Sequence, residues 1–231
     1  EKLLTRFWCE AANHYSYPMT KEHVLGIRSL ATKYAIPHLK GIFGEDFDYY
    51  KVRAKRIELM NEFIRQNGIE KKKGLDELLD YLDSTGLKKA VATATDLQRT
   101  TLYLSSINII DRFDKLICGN MIENGKPAPD IYLAAAKELE LDPGECIALE
   151  DSPNGIRSAH TAGCKPIMIP DLSQPDEETK KLLYACCDDR SPAFCKNPIK
   201  IDTMLHELTQ TLHRDSKTDS FITSTGCSPL H

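Results

Sequence analysis

The chain has 231 residues, 41% hydrophobic and 28% charged: one large domain or a domain with an insert, able to bury a full core without disulfide or metal staples, and neither collagen-like nor fully disordered. With 30 Lys+Arg against 34 Asp+Glu, the formal net charge of −4 is too mild to mark a nucleic-acid or membrane surface. No apolar run reaches the roughly 18–20 residues of a spanning helix, and no signal-peptide pattern opens the chain.

The chain opens on Glu1, not Met, and already reads as mid-helix, with Leu3, Leu4, Phe7, Trp8 and Ala11 at helical spacing. The expectation is therefore an upstream segment. Up to about residue 70 the pattern is helical throughout. Thr20 caps one short helix and Ser29 another that should stop before Pro37. A longer helix is expected from Asp46 to Gln66, with an apolar stripe of Tyr50, Ala54, Ile57, Met60, Phe63 and Ile64.

After Gly74 the texture changes. LDELLDYLDSTG reads as a helix ending at Gly86, and KKAVATAT as a buried strand. A helix over Leu97–Ser106, KLIC (115–118), a helix over DIYLAAAKELEL, CIALE (146–150), a helix over NGIRSAHTAG and KPIMI (165–169) follow. This alternation predicts an α/β fold with a parallel, doubly wound sheet, whose ligands bind where strands end and helices begin. Beyond Asp188 the pattern weakens. Ile201, Met204, Leu205, Leu208 and Leu212 suit an amphipathic helix, and the Ser/Thr-rich end suits disorder.

Of the 8 cysteines, Cys9, Cys118, Cys146 and Cys164 lie in apolar stretches, and the vicinal Cys186 and Cys187 lack zinc or redox spacing. Free thiols in a reducing compartment, the cytoplasm, are expected.

Three features fall at expected strand ends. Thr93 closes AVAT just before Asp96 and Leu97 open a helix, where a hydroxyl and free backbone N–H groups would suit a phosphate-like anion; it is equally a good strand former. Lys126 in NGKPAPDIY sits on a turn stiffened by Pro127 and Pro129, where it can neutralise a phosphate, although most loop lysines are merely solvated. Glu150 and Asp151 follow CIAL as adjacent carboxylates, which repel unless a cation or donors compensate them. Mg²⁺ takes one or two carboxylates with phosphate and water; helix capping by Asp151 or Ser152 is the alternative.

AVATAT, GKPAPDIYLAAAKEL and ALEDSPNGIRSAHTAG resemble motifs II, III and IV of the haloacid dehalogenase-like superfamily, closest to β-phosphoglucomutase-like phosphatases with a helical cap. The resemblance covers about residues 1–187 and implies a helical cap (1–72), a Rossmann-like core (73–187) and an unmatched tail (188–231). It makes Thr93 and Ala94 phosphate binders and Lys126 the stabiliser of the nucleophile and transferring phosphoryl group. Asp151 would hold Mg²⁺, with Glu150 as ligand or behind it, Asn154 would order their loop, and Arg28, in Gly26-Ile27-Arg28, would contact substrate.

The resemblance also implies an Asp-x-Asp nucleophile motif on a first strand upstream of Glu1, since Asp46-Phe47-Asp48 lies in the helical part. The chain as given would then be inactive. Its sheet would carry a gap of roughly 10 Å with two unpaired inner edges, and the fragment would be unstable. The implied activity is Mg²⁺-dependent hydrolysis of a small phosphate monoester, a sugar or nucleoside phosphate, by a protein monomeric at full length with no nucleic-acid or membrane partner. A phosphomutase and a non-catalytic phosphometabolite- or partner-binding protein are the alternatives; a metal-free dehalogenase has no use for a Glu-Asp metal pair.

Overall fold

The computed structural model describes residues 2–28, 30–72, 74–169, 174–186 and 220–223. It opens with helices α1 (Lys2–His14), α2 (Lys21–Gly26), α3 (Thr32–Phe43) and α4 (Tyr49–Asn67). α1 buries Phe7, Trp8, Ala11 and Ala12, and the Trp8 ring lies 5.6 Å from that of Tyr49 on α4. Thr20 is the N-cap of α2, its N–H donating to His23 Nδ1 at 3.2 Å. Asp48 caps α4 by accepting from the Lys51 N–H at 3.0 Å.

Two expectations for these helices need correction. Pro37 lies inside α3, which starts after Ala31 and continues to Phe43. Coming early in the helix, Pro37 forfeits a single hydrogen bond, to the Lys33 carbonyl. Burial of Ala35 and Leu39, four residues apart on one face, outweighs that loss. In α4 the buried residues are Tyr49, Val52, Arg56 and Met60, while Tyr50 is 65% exposed. The apolar pattern hid a buried arginine. The Arg56 guanidinium lies 5.5 Å from the Trp8 ring centroid and 3.7 Å from Met60 Sδ. Burial, reinforced by the charges of Arg99 and Arg53, pushes it down to about 10.

Helix α5 (Leu75–Thr85) ends at Gly86, whose φ of 68° is the left-handed conformation of a helix stop. Then come β1 (Lys88–Thr93), α6 (Leu97–Ser106), β2 (Lys115–Cys118), α7 (Asp130–Glu138), β3 (Cys146–Glu150), α8 (Pro153–Thr161), β4 (Lys165–Met168), α9 (Glu177–Lys180), β5 (Ala185–Cys186) and β6 (Ser220–Thr223). The sheet runs β2-β1-β6-β3-β4-β5, every pairing parallel. Val91 packs with Leu79 and Leu104 of α5 and α6, whereas Ala90 and Ala92 pack with Ile131, Tyr132 and Ala135 of α7. Successive residues of β1 therefore serve opposite faces, and both faces are covered, as a parallel sheet requires.

The expected gap is not there. β6 lies between β1 and β3, with Ser220–Thr223 registered on Lys88–Val91 on one side and Cys146–Leu149 on the other. The Ser/Thr-rich end read as disordered thus supplies the central strand. Phe221, Ile222 and Thr223 are good strand formers, and two unpaired inner edges would otherwise leave a row of backbone groups unsatisfied. The helix expected over 201–212 and the rest of the tail lie outside the described residues.

α5 is tied to the start of β1 by an Asp83–Lys89 ion pair at 2.8 Å, and Arg112 bridges Asp83 and Asp80. The bond from Lys89, with Arg112 adding to it against a small burial cost, holds the Asp83 carboxyl below the usual carboxylate range. Below its ordinary value of about 3.9 the unfolded chain takes the proton first. This contribution is therefore complete above that value and disappears as pH falls through the folded one. Melting followed from pH 6 to 2.5 should show Asp83→Asn less stable than wild type at pH 6, with the difference shrinking toward the acid end.

Candidate active site

The carboxyl ends of β1 and β3, and the loop between β2 and α7, converge at one edge of the sheet. Thr93 ends β1 fully buried, its hydroxyl oxygen accepting the Thr95 N–H at 3.2 Å. The helix that follows is less open to an anion than its sequence suggests. Asp96 accepts the Arg99 N–H at 3.0 Å, and Asn120 Oδ1 accepts the Leu97 N–H at 3.1 Å. Two N–H groups at the start of α6 are thus already engaged by protein groups.

Lys126 is 3% exposed, although it sits on a loop. Its ammonium lies 2.6 Å from Glu150 Oε1 and donates to the Ala92 carbonyl at 3.3 Å, joining the end of β3 to that of β1. Glu150 is 2% exposed and anchors the whole cluster. Oε1 also accepts the Tyr132 hydroxyl at 2.5 Å, and Oε2 accepts the Asp151 N–H at 3.2 Å and the Ser152 hydroxyl at 3.3 Å. A buried carboxylate is tolerated because a cation and several donors surround it. Gly155 allows this: a Cβ there would land on the Glu150 carboxylate.

Glu150 thus faces inward toward Lys126, and Asp151 is the half-buried carboxylate at the strand end. Ser152, not Asp151, caps α8, accepting the Gly155 N–H at 3.1 Å. Among the described residues no cluster of three or more His, Cys, Asp or Glu side chains is assembled. A single carboxylate is still within what Mg²⁺ requires when phosphate and water complete its shell, so Asp151 fits that ion, with Glu150 behind it.

The helical body closes over this edge. Arg28, just beyond α2, is 9% exposed, and its guanidinium donates to the Asp151 carbonyl. Asn154 Nδ2 donates back to the Arg28 carbonyl at 3.0 Å. The Ala31 N–H donates to the Lys126 carbonyl at 3.1 Å, and Lys33 Nζ reaches Asn124 Oδ1 at 2.7 Å. Ala94, Lys126, Leu30 and Lys33 line a cavity of about 250 Å³ at this seam. Gly119 and Gly125 shape it, since a Cβ at either would collide with Ala94 or Ala31.

The structure thus brings Thr93, Lys126, Glu150 and Asp151 together, with Ala94 at the cavity wall and Arg28 and Asn154 joining the two bodies. Sequence reasoning missed Tyr132. Its position two residues into α7, facing the same core as Ile131 and Ala135, was the available signal, because a buried tyrosine hydroxyl needs a partner. Cys118, Cys146 and Cys164 are buried free thiols, and burial pushes Cys146 and Cys164 up to about 12, which suits packing and not reactivity.

The chain is similar in sequence and fold to known proteins. The chain is 34% identical over 117 residues to the Bacillus subtilis protein YhcW, spanning about half the length of that relative (51%). It is 26% identical over 171 residues to the phosphorylated carbohydrates phosphatase of Thermotoga maritima, covering 72% of this chain and 77% of that one. A solved β-phosphoglucomutase from Clostridium difficile shares the fold, with a TM-score of 0.70 at 18% identity over 92% of each chain. The family model for haloacid dehalogenase-like hydrolases matches residues 1–169, and the chain belongs to that family.

Proposed function

We propose that this chain carries the phosphate- and metal-holding part of a Mg²⁺-dependent phosphatase acting on a small phosphorylated metabolite, a sugar or nucleoside phosphate. The observation that carries the reading is the buried Lys126–Glu150 pair set between Thr93 and Asp151. The phosphorylated carbohydrates phosphatase among its relatives supports the substrate class.

In this reading Thr93 and the Ala94 turn hold phosphoryl oxygens, and Lys126 neutralises charge as the P–O bond to the leaving alcohol breaks. Asp151 would hold Mg²⁺, which when bound supplies positive charge to the phosphate oxygens. The attacking carboxylate would be that of an aspartate, as the family resemblance implies. It forms an aspartyl-phosphate, which water cleaves to phosphate and free carboxylate. Arg28 faces substrate from a cap of residues 1–72 over a core of 73–187 completed by the strand Ser220–Thr223, and Asn154 orders the loop beneath it. The protein works as a cytoplasmic monomer; among the described residues no helix is long and apolar enough to cross a membrane.

A second reading is favoured by β6. The strand between β1 and β3 is Ser220–Thr223, whose sequence holds no carboxylate. A chain using that strand would bind phosphometabolites without turning them over. Phosphate release from a panel of sugar and nucleoside phosphates separates the two, measured on this chain and on the chain extended by its upstream coding sequence. Release by the extended protein, abolished by EDTA, is expected. Binding without release by both favours the second reading, and neither binding nor release by the extended protein overturns both.

A further inference from the structure

We propose that Tyr132 is a positioning residue of the phosphate site, its hydroxyl sharing the Glu150 carboxylate with Lys126 so that the lysine's charge stays directed at an incoming phosphate. This rests on the reading of Lys126 as a phosphate-binding group. The Tyr132 hydroxyl and the Lys126 ammonium meet the same oxygen, Glu150 Oε1, at 2.5 and 2.6 Å. The ammonium also lies 5.2 Å from the centroid of the Tyr132 ring, within cation–π range. On the other carboxylate oxygen, Asp151 N–H and the Ser152 hydroxyl hold Glu150 in orientation. Tyr132 is fully buried, so water does not compete for its hydroxyl.

Packing does not require the oxygen. The Tyr132 ring fills the space between α7 and the sheet, against Ala90, Ala92, Ala148 and Ala135, and phenylalanine would fill it as well. What the hydroxyl adds is electrostatic. An ammonium facing a carboxylate oxygen alone spends most of its field on that oxygen. A second donor on the same oxygen draws part of the carboxylate's charge away, and hydrogen bonds in a dry interior polarise one another. Without that donor Glu150 would neutralise Lys126 more completely, and an anion beside it would be held less well.

The test is Tyr132→Phe in the full chain, read three ways. Calorimetric titration with inorganic phosphate in Mg²⁺ should show binding weakened roughly five- to tenfold, the equivalent of one hydrogen bond. The ¹H–¹⁵N resonance of the Lys126 ammonium, recorded without phosphate, should move. The melting temperature should fall modestly, as a donor leaves the buried carboxylate, whereas Tyr132→Leu, which also removes the ring, should lower it further. Phosphate binding equal to wild type overturns the proposal. If wild type itself binds no phosphate, the phosphate-site reading fails separately. The Lys126 resonance then decides alone: a shift supports positioning by Tyr132, and an unmoved signal overturns it.

Discussion

Lys126→Met should destabilise the chain by about 3–5 kcal/mol, the cost of leaving a buried carboxylate without its cation. The side chains of Lys126 and Glu150 are 2% and 1% exposed, so water cannot take over the lost contact. Tyr132, Ser152 and the Asp151 N–H would remain on Glu150. They supply dipoles but no compensating charge. Urea unfolding of the single variant and of Lys126→Met/Glu150→Gln makes the argument specific. The double variant should recover much of the loss, because it removes the stranded charge and keeps the volume. A loss below about 1 kcal/mol in the single variant would mean that Glu150 protonates or reaches water, and that the pair is not dry.

Ile222→Pro should have an effect of similar size by a different route. Ile222 pairs with Ala90 on one side and Ala148 on the other, in the middle of a six-stranded sheet. Proline removes a ladder donor and is tolerated in sheets only at edges or bulges. A drop in melting temperature of about 10 °C is expected, corresponding to roughly 3–4 kcal/mol at this chain length. Amide exchange should localise the damage, rising in 88–92 and 146–149 while α1 and α4, packed on each other through Trp8 and Tyr49, stay protected. Unchanged exchange in both strands would show that β6 does not hold the centre of the sheet. Wild type with β6 in place should melt cooperatively, contrary to what a gapped sheet would do.

These two sites differ in how far the sequence revealed them. KLIC and CIALE are short apolar runs bounded by turn signals, and they form β2 and β3 at the expected residues, 115–118 and 146–150. The helices between them follow the same local signals. Local patterning failed where a distant contact decided the outcome. SFIT is four residues in a polar tail, and only the vacant position between β1 and β3 makes it a strand. Arg56 broke the apolar stripe of α4 because its place beside Trp8 is set by packing and not by hydropathy. That Thr93, Lys126 and Asp151 fall at one edge of the sheet was legible because each ends or follows a strand. The inward role of Glu150 was not, since it depends on Tyr132 and Gly155, which only the fold brings to it.

In the proposed function these strand ends form one Mg²⁺-phosphate site. Calorimetric titration of wild type and Asp151→Asn with inorganic phosphate, each with and without Mg²⁺, tests it most directly. Binding by wild type should depend on Mg²⁺ and be lost in Asp151→Asn, whose neutral amide is a poor Mg²⁺ ligand. Equal phosphate affinity in the two proteins, or affinity indifferent to Mg²⁺, would contradict it.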